Sequence, residues 1–277
     1  MAEPAAALPR IRRARGFRLY GLDGRRYLDL WQDGGRAILG HGAGPALGAA
    51  RNALSTGLLP CLPSIHGERL ERALARRFPA HACARMFATQ ARAFDAAARA
   101  LGAPLAPGDL FDPAVDPRPT HPPRALLWRP WLPGSEAELL DAADVLVPVL
   151  PFAVAEAPAI VCVRAALQDA LPGSDPLPGF LLAGVLRALE ALLQDTPPSE
   201  ELRRLEHVLE GCPGWERRGR YLKPRCIPGH YPAVHRQFLQ AGVLLSPVFP
   251  GPSILPATLS AGEGALLAGL FQKTHGG

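Results

Sequence analysis

The chain has 277 residues, of which 48% are hydrophobic and 20% charged, and it carries a formal net charge of +5 at pH 7. This length is enough to bury one large core or two modest ones. No run of about 18 uncharged apolar residues is present, so a transmembrane helix is not expected. The first residues, MAEPAAALPRIRR, place Glu3 and prolines where a signal peptide needs an apolar block, which favours a cytoplasmic protein.

The basic side chains are almost all arginines, because Lys223 and Lys273 are the only lysines. No DNA-binding or RNA-binding motif accompanies them, and most are interleaved with Asp and Glu, so a nucleic-acid partner is not expected. The five cysteines are odd in number and irregularly spaced, which favours reduced thiols and matches no metal-binding pattern. An anionic surface is the partner that would suit the densest basic group, which comprises Arg10, Arg12, Arg13, Arg15 and Arg18.

The first predicted element is a hairpin around the Asp-Gly pair at positions 23 and 24. Glycine accepts the positive φ that a tight two-residue turn requires, and alternating apolar residues flank the pair on both sides. The Leu-Gly-His-Gly sequence at residues 39–42 predicts a second, flexible turn. His41 in this turn and His66 further along are candidate pocket residues, although a lone histidine is more often structural.

The middle of the chain alternates helical and extended patterns. Helical spacing predicts helices over residues 46–54, 68–78 and 91–101 and a buried helix over 180–193. Prolines recur through residues 103–133 and predict an irregular connection. The predicted strands are nearly all apolar, as in sheets covered on both faces, and they span residues 82–88, 125–128, 145–150 and 159–163. Together these patterns predict an α/β layer with parallel strands.

The last part alternates again. An amphipathic helix is predicted over residues 200–210, then a strand at 221–227, a helix at 233–241 and a strand at 243–245. Ser260 followed by Glu263 has the spacing of a capping box, which predicts the start of a final helix.

Several of these segments, in their order, resemble class III pyridoxal-phosphate aminotransferases. The sequence LYGLDGRRYLDL at residues 19–30, followed by LGHGAGP at 39–45, resembles the amino-terminal signature of the family. The sequences GVLLSP at 242–247 and ILPATLS at 254–260 resemble its ending, and ALLWRP at 125–130 and PAIVCV at 158–163 resemble two of its strands. The chain therefore looks like a shortened, degenerate member similar to glutamate-1-semialdehyde aminomutase.

The resemblance implies an α/β protein with a reduced fold-type-I pyridoxal-phosphate transferase fold. Its large domain would hold a mainly parallel sheet, and its small domain would be α+β. We expect residues 1–50 to form an amino-terminal hairpin segment packing with the small domain, residues 51–195 the reduced large domain, and residues 196–277 the small domain.

The family uses a Schiff-base lysine, a carboxylate beside the pyridine nitrogen and a glycine-containing phosphate turn. At the positions that we align with these three elements, the chain has Ala165, Val149 and the sequence Thr89, Gln90, Ala91. Alanine has no amine and valine no charge. We therefore expect no catalytic residue at these positions, no bound cofactor and no metal.

Three functions follow from this comparison. The first is a non-catalytic binding or partner subunit, forming a homodimer or a heterodimer with an active aminotransferase. The second is a functional pyridoxal-phosphate aminotransferase or aminomutase with a relocated lysine, for which Lys223 and Lys273 are the candidates. The third is a remodelled cleft that binds an anionic metabolite through arginine side chains.

Overall fold

The computed structural model describes residues 8–42, 44–132, 137–194 and 198–274. It divides the chain into two compact units, one formed by Met1–Gly42 with Asp195–Gly277 and the other by Ala43–Gln194. We call them the terminal unit and the central unit. The predicted domain division after residues 50 and 195 stays a prediction, and residues 195–197 lie outside the described residues.

The strands of the described residues are β1 (Ile11–Arg15), β2 (Arg18–Gly21), β3 (Arg26–Asp29), β4 (Cys83–Phe87), β5 (Ala125–Trp128), β6 (Val145–Pro148), β7 (Ala159–Val163), β8 (Trp215–Arg218), β9 (Tyr221–Pro224), β10 (Val243–Leu244) and β11 (Ser253–Ile254). Their α-helices are α1 (Gly44–Ser55), α2 (Ile65–Arg77), α3 (Gln90–Leu101), α4 (Ala137–Ala142), α5 (Gly179–Leu192), α6 (Glu200–Glu210), α7 (Tyr231–Gln240) and α8 (Ala261–Lys273).

The amino-terminal hairpin is confirmed, since β2 and β3 pair antiparallel. Its loop is longer than the predicted two-residue turn. The Gly21 N–H donates to the Arg25 carbonyl at 2.9 Å, and Gly24 supplies the positive φ, at 78°. The carboxylate of Asp23 also accepts hydrogen bonds from the Arg25 N–H and the Tyr27 hydroxyl, at 3.0 and 2.7 Å. These side-chain bonds stabilise the longer loop, which periodicity alone does not reveal.

The first sheet of the terminal unit joins the two ends of the chain. Its strand order is β1-β2-β3-β10, and β10 runs parallel to β3. The Leu28 N–H donates to the Gly242 carbonyl and the Leu30 N–H to the Leu244 carbonyl, both at 2.8 Å. Beside this seam lies an apolar core in which Trp215 meets Phe238 and Phe271 edge to face. The terminal unit therefore forms only when both ends of the chain are present.

The terminal unit also contains a second sheet and the helices α6 and α8. Strands β8, β9 and β11 form an antiparallel sheet of three strands. The predicted capping box is confirmed, because the Ser260 hydroxyl accepts the Glu263 N–H and the Glu263 carboxylate accepts the Ser260 N–H. Helix α8 packs against α6.

The central unit holds a four-stranded sheet in the order β4-β7-β6-β5. Strands β5 and β6 are parallel, whereas β7 runs antiparallel to both β4 and β6. The prediction of parallel strands is therefore wrong for β7. Residues 149–158 connect β6 to β7, which is too short for the crossover of about a dozen residues or more that parallel neighbours need. The buried alanines of α3 pack on one part of this sheet, and α5 packs against α1 and α2.

The pairing of β3 with β10 requires a glycine at position 242, directly before β10. Its φ is 82°, and a Cβ atom there would lie 3.1 Å from the carbonyl oxygen of Arg26. We expect Gly242→Ala to lower the free energy of unfolding by about 1–2 kcal/mol, because alanine would be strained in this conformation. Urea unfolding followed by circular dichroism measures the change.

Gly269→Ala is the matched control. Gly269 lies within α8 with open space around the position of a Cβ atom. Alanine should therefore stabilise the protein by about 0.5–1 kcal/mol through helix propensity. Equal changes in the free energy of unfolding for the two substitutions would show that the pairing of β3 with β10 does not require glycine at position 242.

Candidate functional site

Three strands of the central sheet end at one edge, because β4, β5 and β6 run in the same direction. Ligands of open α/β sheets bind outside the carboxyl ends of the strands. The residues that follow these strands are Ala88 after β4, Arg129 after β5 and Val149 after β6. The Val149 N–H donates to the Trp128 carbonyl at 3.0 Å, which places the ends of β5 and β6 together. We call this the carboxyl edge and treat it as the candidate site.

A carboxylate of the chain lies where α3 begins. The Asp175 carboxylate accepts a hydrogen bond from the Ala88 N–H and one from the Arg92 Nε, both at 3.0 Å. The Arg92 Nη2 donates to the second oxygen of Asp175. The Thr89 hydroxyl caps the helix by accepting the Arg92 N–H. Asp175 is therefore the anion bound by the backbone and side-chain donors at the start of α3. Donors at the start of a helix favour anions.

The position of Asp175 is fixed by its backbone as well as by its charge. Its N–H donates to the Met86 carbonyl at 2.8 Å, and the neighbouring Ser174 hydroxyl accepts the Met86 N–H at 3.1 Å. The Asp175 side chain is 10% exposed and that of Arg92 is 61% exposed. The hydrogen bond from Arg92, supported by the Ala88 N–H, lowers the pKa of the Asp175 carboxyl below its ordinary value. Asp175 is therefore an ionised internal anion at neutral pH.

A second ion pair lies at the end of β5. The guanidinium of Arg129 donates to both carboxylate oxygens of Asp112, at 2.8 and 2.7 Å. Their side chains are 7% and 14% exposed. Asp112 reaches this position because Phe111 pairs with the outer edge of β5 through bonds to Ala125 and Leu127. A buried, two-point pair of this kind holds the connection against the sheet.

The structure does not bring the predicted degenerate positions into one site. Thr89, Gln90, Ala91 and Val149 lie at the carboxyl edge. Ala165 follows β7, which runs the other way, so it is exposed at the opposite edge. The adjacent Arg164 donates from Nε to the carbonyl of Ala143, which precedes β6. Strand direction therefore argues against aligning Ala165 with the Schiff-base lysine, which must reach the same ligand as the phosphate turn.

The distribution of lysines does not depend on that alignment. Residues 43–194, which form the central unit, contain no lysine at all. Lys223 lies in β9 and Lys273 ends α8, both in the terminal unit. No side-chain amine is therefore available from the central unit at either edge of its sheet.

The histidine of the Leu-Gly-His-Gly turn has a structural partner. The His41 Nε2 lies 2.7 Å from Oδ2 of the buried Asp29. The other oxygen of Asp29 accepts the N–H groups of Trp31 and Gln32, each at 2.9 Å. Asp29 thereby organises a turn in which Gln32 and Asp33 have positive φ, at 49° and 51°. His41 is held by this turn, in keeping with the structural reading.

His66 is only half-buried in α2. Burial, with a smaller effect of the nearby Arg69 charge, lowers the pKa of its imidazole. In the part of the chain that the structure describes, no three side chains of His, Cys, Asp or Glu are grouped so as to hold a metal ion. Nor do the described helices include one long and apolar enough to span a membrane.

Sequence reasoning missed both ion pairs of the carboxyl edge. Asp175 and Arg92 are 83 positions apart and Asp112 and Arg129 are 17 apart, so no short motif relates the partners. Arg129 lies in the segment 125–130, whose pattern predicts a strand. That prediction takes no account of the charge that binds Asp112. Only the pairing of the strands brings these side chains together.

Comparison with solved structures identifies the class of the fold. An omega-transaminase from Sphaerobacter thermophilus superimposes with a TM-score of 0.69 at 16% identity, covering 98% of this chain and 92% of that one. Ornithine δ-aminotransferase of Plasmodium falciparum gives a TM-score of 0.66 at 12% identity, covering 96% and 92%. The chain has the fold-type-I pyridoxal-phosphate transferase fold, so the fold implied by the aminotransferase resemblance is confirmed.

The chain belongs to the same family as an uncharacterized protein of Treponema pallidum (strain Nichols). The two are 30% identical over an alignment of 301 residues that covers 92% of this chain and 91% of the other. A shorter segment of 58 residues is 43% identical to part of an uncharacterized protein of Borreliella burgdorferi, covering 21% of this chain and 22% of that protein. No established family model matches the chain.

The expectation of no cofactor is wrong in view of these neighbours. A transaminase with pyridoxal phosphate bound has a TM-score of 0.66 at 14% identity and covers 99% of this chain and 92% of its own. Another neighbour is the FumI protein of Sphingopyxis in its pyridoxal-phosphate internal aldimine form. Both of these structures hold the cofactor, so the exchange of a few aligned residues does not by itself exclude it.

The Asp175 carboxylate should make the stability of the protein depend on pH. Its pKa is lowered in the folded state, so its contribution is complete above the ordinary carboxyl pKa of about 3.9. That contribution is lost as the pH falls through the lowered folded-state pKa. We expect Asp175→Asn to lower the urea midpoint at pH 6, and the difference from the native protein to shrink towards pH 3.

Asp169→Asn serves as the control for this experiment. Asp169 is exposed on the same connection after β7, and no ion pair with it is found within the described residues. The control should leave the midpoint near that of the native protein throughout. A difference between Asp175→Asn and the native protein that stays constant from pH 6 to pH 3 would contradict the role of the Asp175 charge.

Proposed function

We propose that the protein is an aminotransferase-fold binding or partner subunit that performs no Schiff-base catalysis from its central unit. The observation that carries this proposal is the absence of lysine from residues 43–194. The polar groups at the carboxyl edge support it, because Asp175 with Arg92 and Asp112 with Arg129 already satisfy one another. Such pairs stabilise a scaffold and leave its charged groups less available for chemistry.

The residues present do not fit covalent attachment of pyridoxal phosphate in the central unit. The cofactor supplies an electron sink when a lysine holds it, and no amine is available there. The Ala88 N–H and Arg92, which would suit a phosphate group, are occupied by Asp175. We therefore propose that any pyridoxal phosphate bound by this protein is held without a covalent bond to the central unit.

Two alternatives remain open to test. In the first, Lys223, half-buried in β9, carries the cofactor in an active aminotransferase or aminomutase. The amino-terminal hairpin and its LGH turn favour a relative of glutamate-1-semialdehyde aminomutase within the fold. In the second, the arginines near the carboxyl edge hold an anionic metabolite. The paired state of Arg129 gives this second alternative less support.

The proposal includes self-association or pairing with an active aminotransferase. Its support is an apolar stretch of the central unit at the end of α1 and before α2. Leu59 and Leu62 are 60% and 63% exposed there, and Leu54 in α1 and Ile65 in α2 are also exposed. Clustered exposed apolar side chains mark protein interfaces. All five cysteines are free thiols, which supports a reducing compartment such as the cytoplasm.

Incubation with pyridoxal phosphate tests the chemical part of the proposal. We expect no aldimine absorbance band after desalting, and no mass increase after borohydride reduction. Noncovalent binding would instead appear in an equilibrium measurement such as titration calorimetry. A reduced adduct mapped to Lys223 would contradict the proposal, and Lys223→Arg should then abolish the band while Lys273→Arg leaves it unchanged.

Light scattering tests the association. We expect the mass of a homodimer at micromolar concentration, and the mass of one chain for Leu59→Ser with Leu62→Ser, because polar side chains remove the apolar contact. Leu22→Ser is the control, since Leu22 is equally exposed but lies in the hairpin loop of the terminal unit. A native protein with the mass of one chain would contradict the homodimer.

A further inference from the structure

Strand β1 has one open side. It is the edge strand of its sheet, where β2 pairs with it, and no described strand pairs with it on the other side. All five residues of β1 are exposed. In antiparallel pairing, alternate residues direct their N–H and C=O groups away from the neighbouring strand. Such an edge offers backbone donors and acceptors to an added strand.

The charge along β1 is concentrated and of one sign. Four exposed arginines lie on β1 or directly before it, and none of them forms an ion pair within the described residues: Arg10, Arg12, Arg13 and Arg15. The guanidinium of Arg13 lies over the ring of Tyr20, 5.6 Å from its centre. By contrast, Arg18 on the adjacent strand binds the Glu263 carboxylate. Among the described side chains, none therefore pairs with these four positive charges of β1.

The charge decides which partner suits this edge. A second copy of β1 would place arginines opposite arginines, and like charges across a strand pair are destabilising. The pairing of β1 with β2 also has a register shift between Ile11 and Arg13, an irregularity that any added strand has to accommodate. An acidic strand meets attraction instead of repulsion. A nucleic acid would satisfy the charges but would leave the backbone groups of the edge without strand partners.

We propose that β1 is a docking edge for an acidic, extended segment of a partner protein. The segment adds as a strand beside β1, and its carboxylates lie next to the four arginines. Backbone hydrogen bonds supply part of the affinity, as in other cases of strand addition. The charges select the partner and accelerate its arrival. This edge belongs to the terminal unit, so the inference does not depend on cofactor chemistry in the central unit.

The experiment measures binding of the full chain to a fluorescent peptide of alternating glutamate and valine, about ten residues long. A second peptide replaces every valine by proline, which keeps the charge but removes N–H donors and prevents strand addition. The protein variant changes Arg10, Arg12, Arg13 and Arg15 to glutamine. The control variant makes the same change at exposed arginines of the central unit, namely Arg51, Arg69, Arg76 and Arg99.

We expect the glutamate–valine peptide to bind and its affinity to fall as salt is added. The β1 variant should bind about tenfold more weakly or worse, whereas the control variant should bind like the native protein. The proline peptide should also bind more weakly to the native protein. Amide exchange of residues 11–15 should slow when the first peptide is bound.

Four outcomes would overturn the proposal. One is no binding of the glutamate–valine peptide, which would leave the arginines as protection of the edge only. Another is equal weakening of peptide binding by the two protein variants, and a third is equal binding of the two peptides. Either result would indicate attraction between charges without the addition of a strand to β1. The fourth is tighter binding of duplex DNA or anionic vesicles than of the peptide. Circular dichroism of both variants checks that exposed arginines have been replaced without unfolding.

Discussion

The parallel pairing of β3 with β10 is the interaction on which the terminal unit depends. It joins the amino-terminal hairpin to a strand near the other end of the chain, through the bonds of Leu28 and Leu30 to Gly242 and Leu244. The ion pair of Arg18 with Glu263 likewise joins the two ends of the chain, across 245 positions. The hairpin alone would leave one apolar face uncovered, and two-stranded hairpins are marginal in water. The seam therefore determines that residues 43–194 form an inserted unit.

Within the central unit, opposite charges hold the connections against the end of the sheet. Asp175 reaches the start of α3 and Asp112 reaches the end of β5, each from a connection that has little regular structure. Backbone donors at a helix start attract an anion whether it belongs to a ligand or to the chain. In this chain a carboxylate of the protein itself, that of Asp175, is bound by those donors.

The elements that depend on local pattern were predictable, whereas those that depend on strand direction and distant charge were not. Helix α3 follows from the helical spacing of its residues and β7 from its continuous apolar run, and Ser260 marks the start of α8. The direction of β7 depends on the length of the connection before it, which alignment to a family motif does not take into account. Ala165 was for that reason grouped with positions at the other edge. The cofactor expectation failed for a related cause, because residue identity at single positions does not determine what a fold can hold.

The discontinuity of the terminal unit also affects the order in which the chain acquires its structure during synthesis. The ribosome releases the hairpin first, yet Gln32 must wait for Ile254, 222 positions later, before its side-chain amide has the carbonyl that it binds. Until then Leu28 and Leu30 have no apolar covering from the carboxyl-terminal segments. Helices α1 and α5, near the two ends of the central unit, pack against each other, so early folding of that unit shortens the loop that remains to be closed. A nascent chain that stalls before β10 would expose β3 as an apolar strand edge, a form that chaperones and proteases recognise.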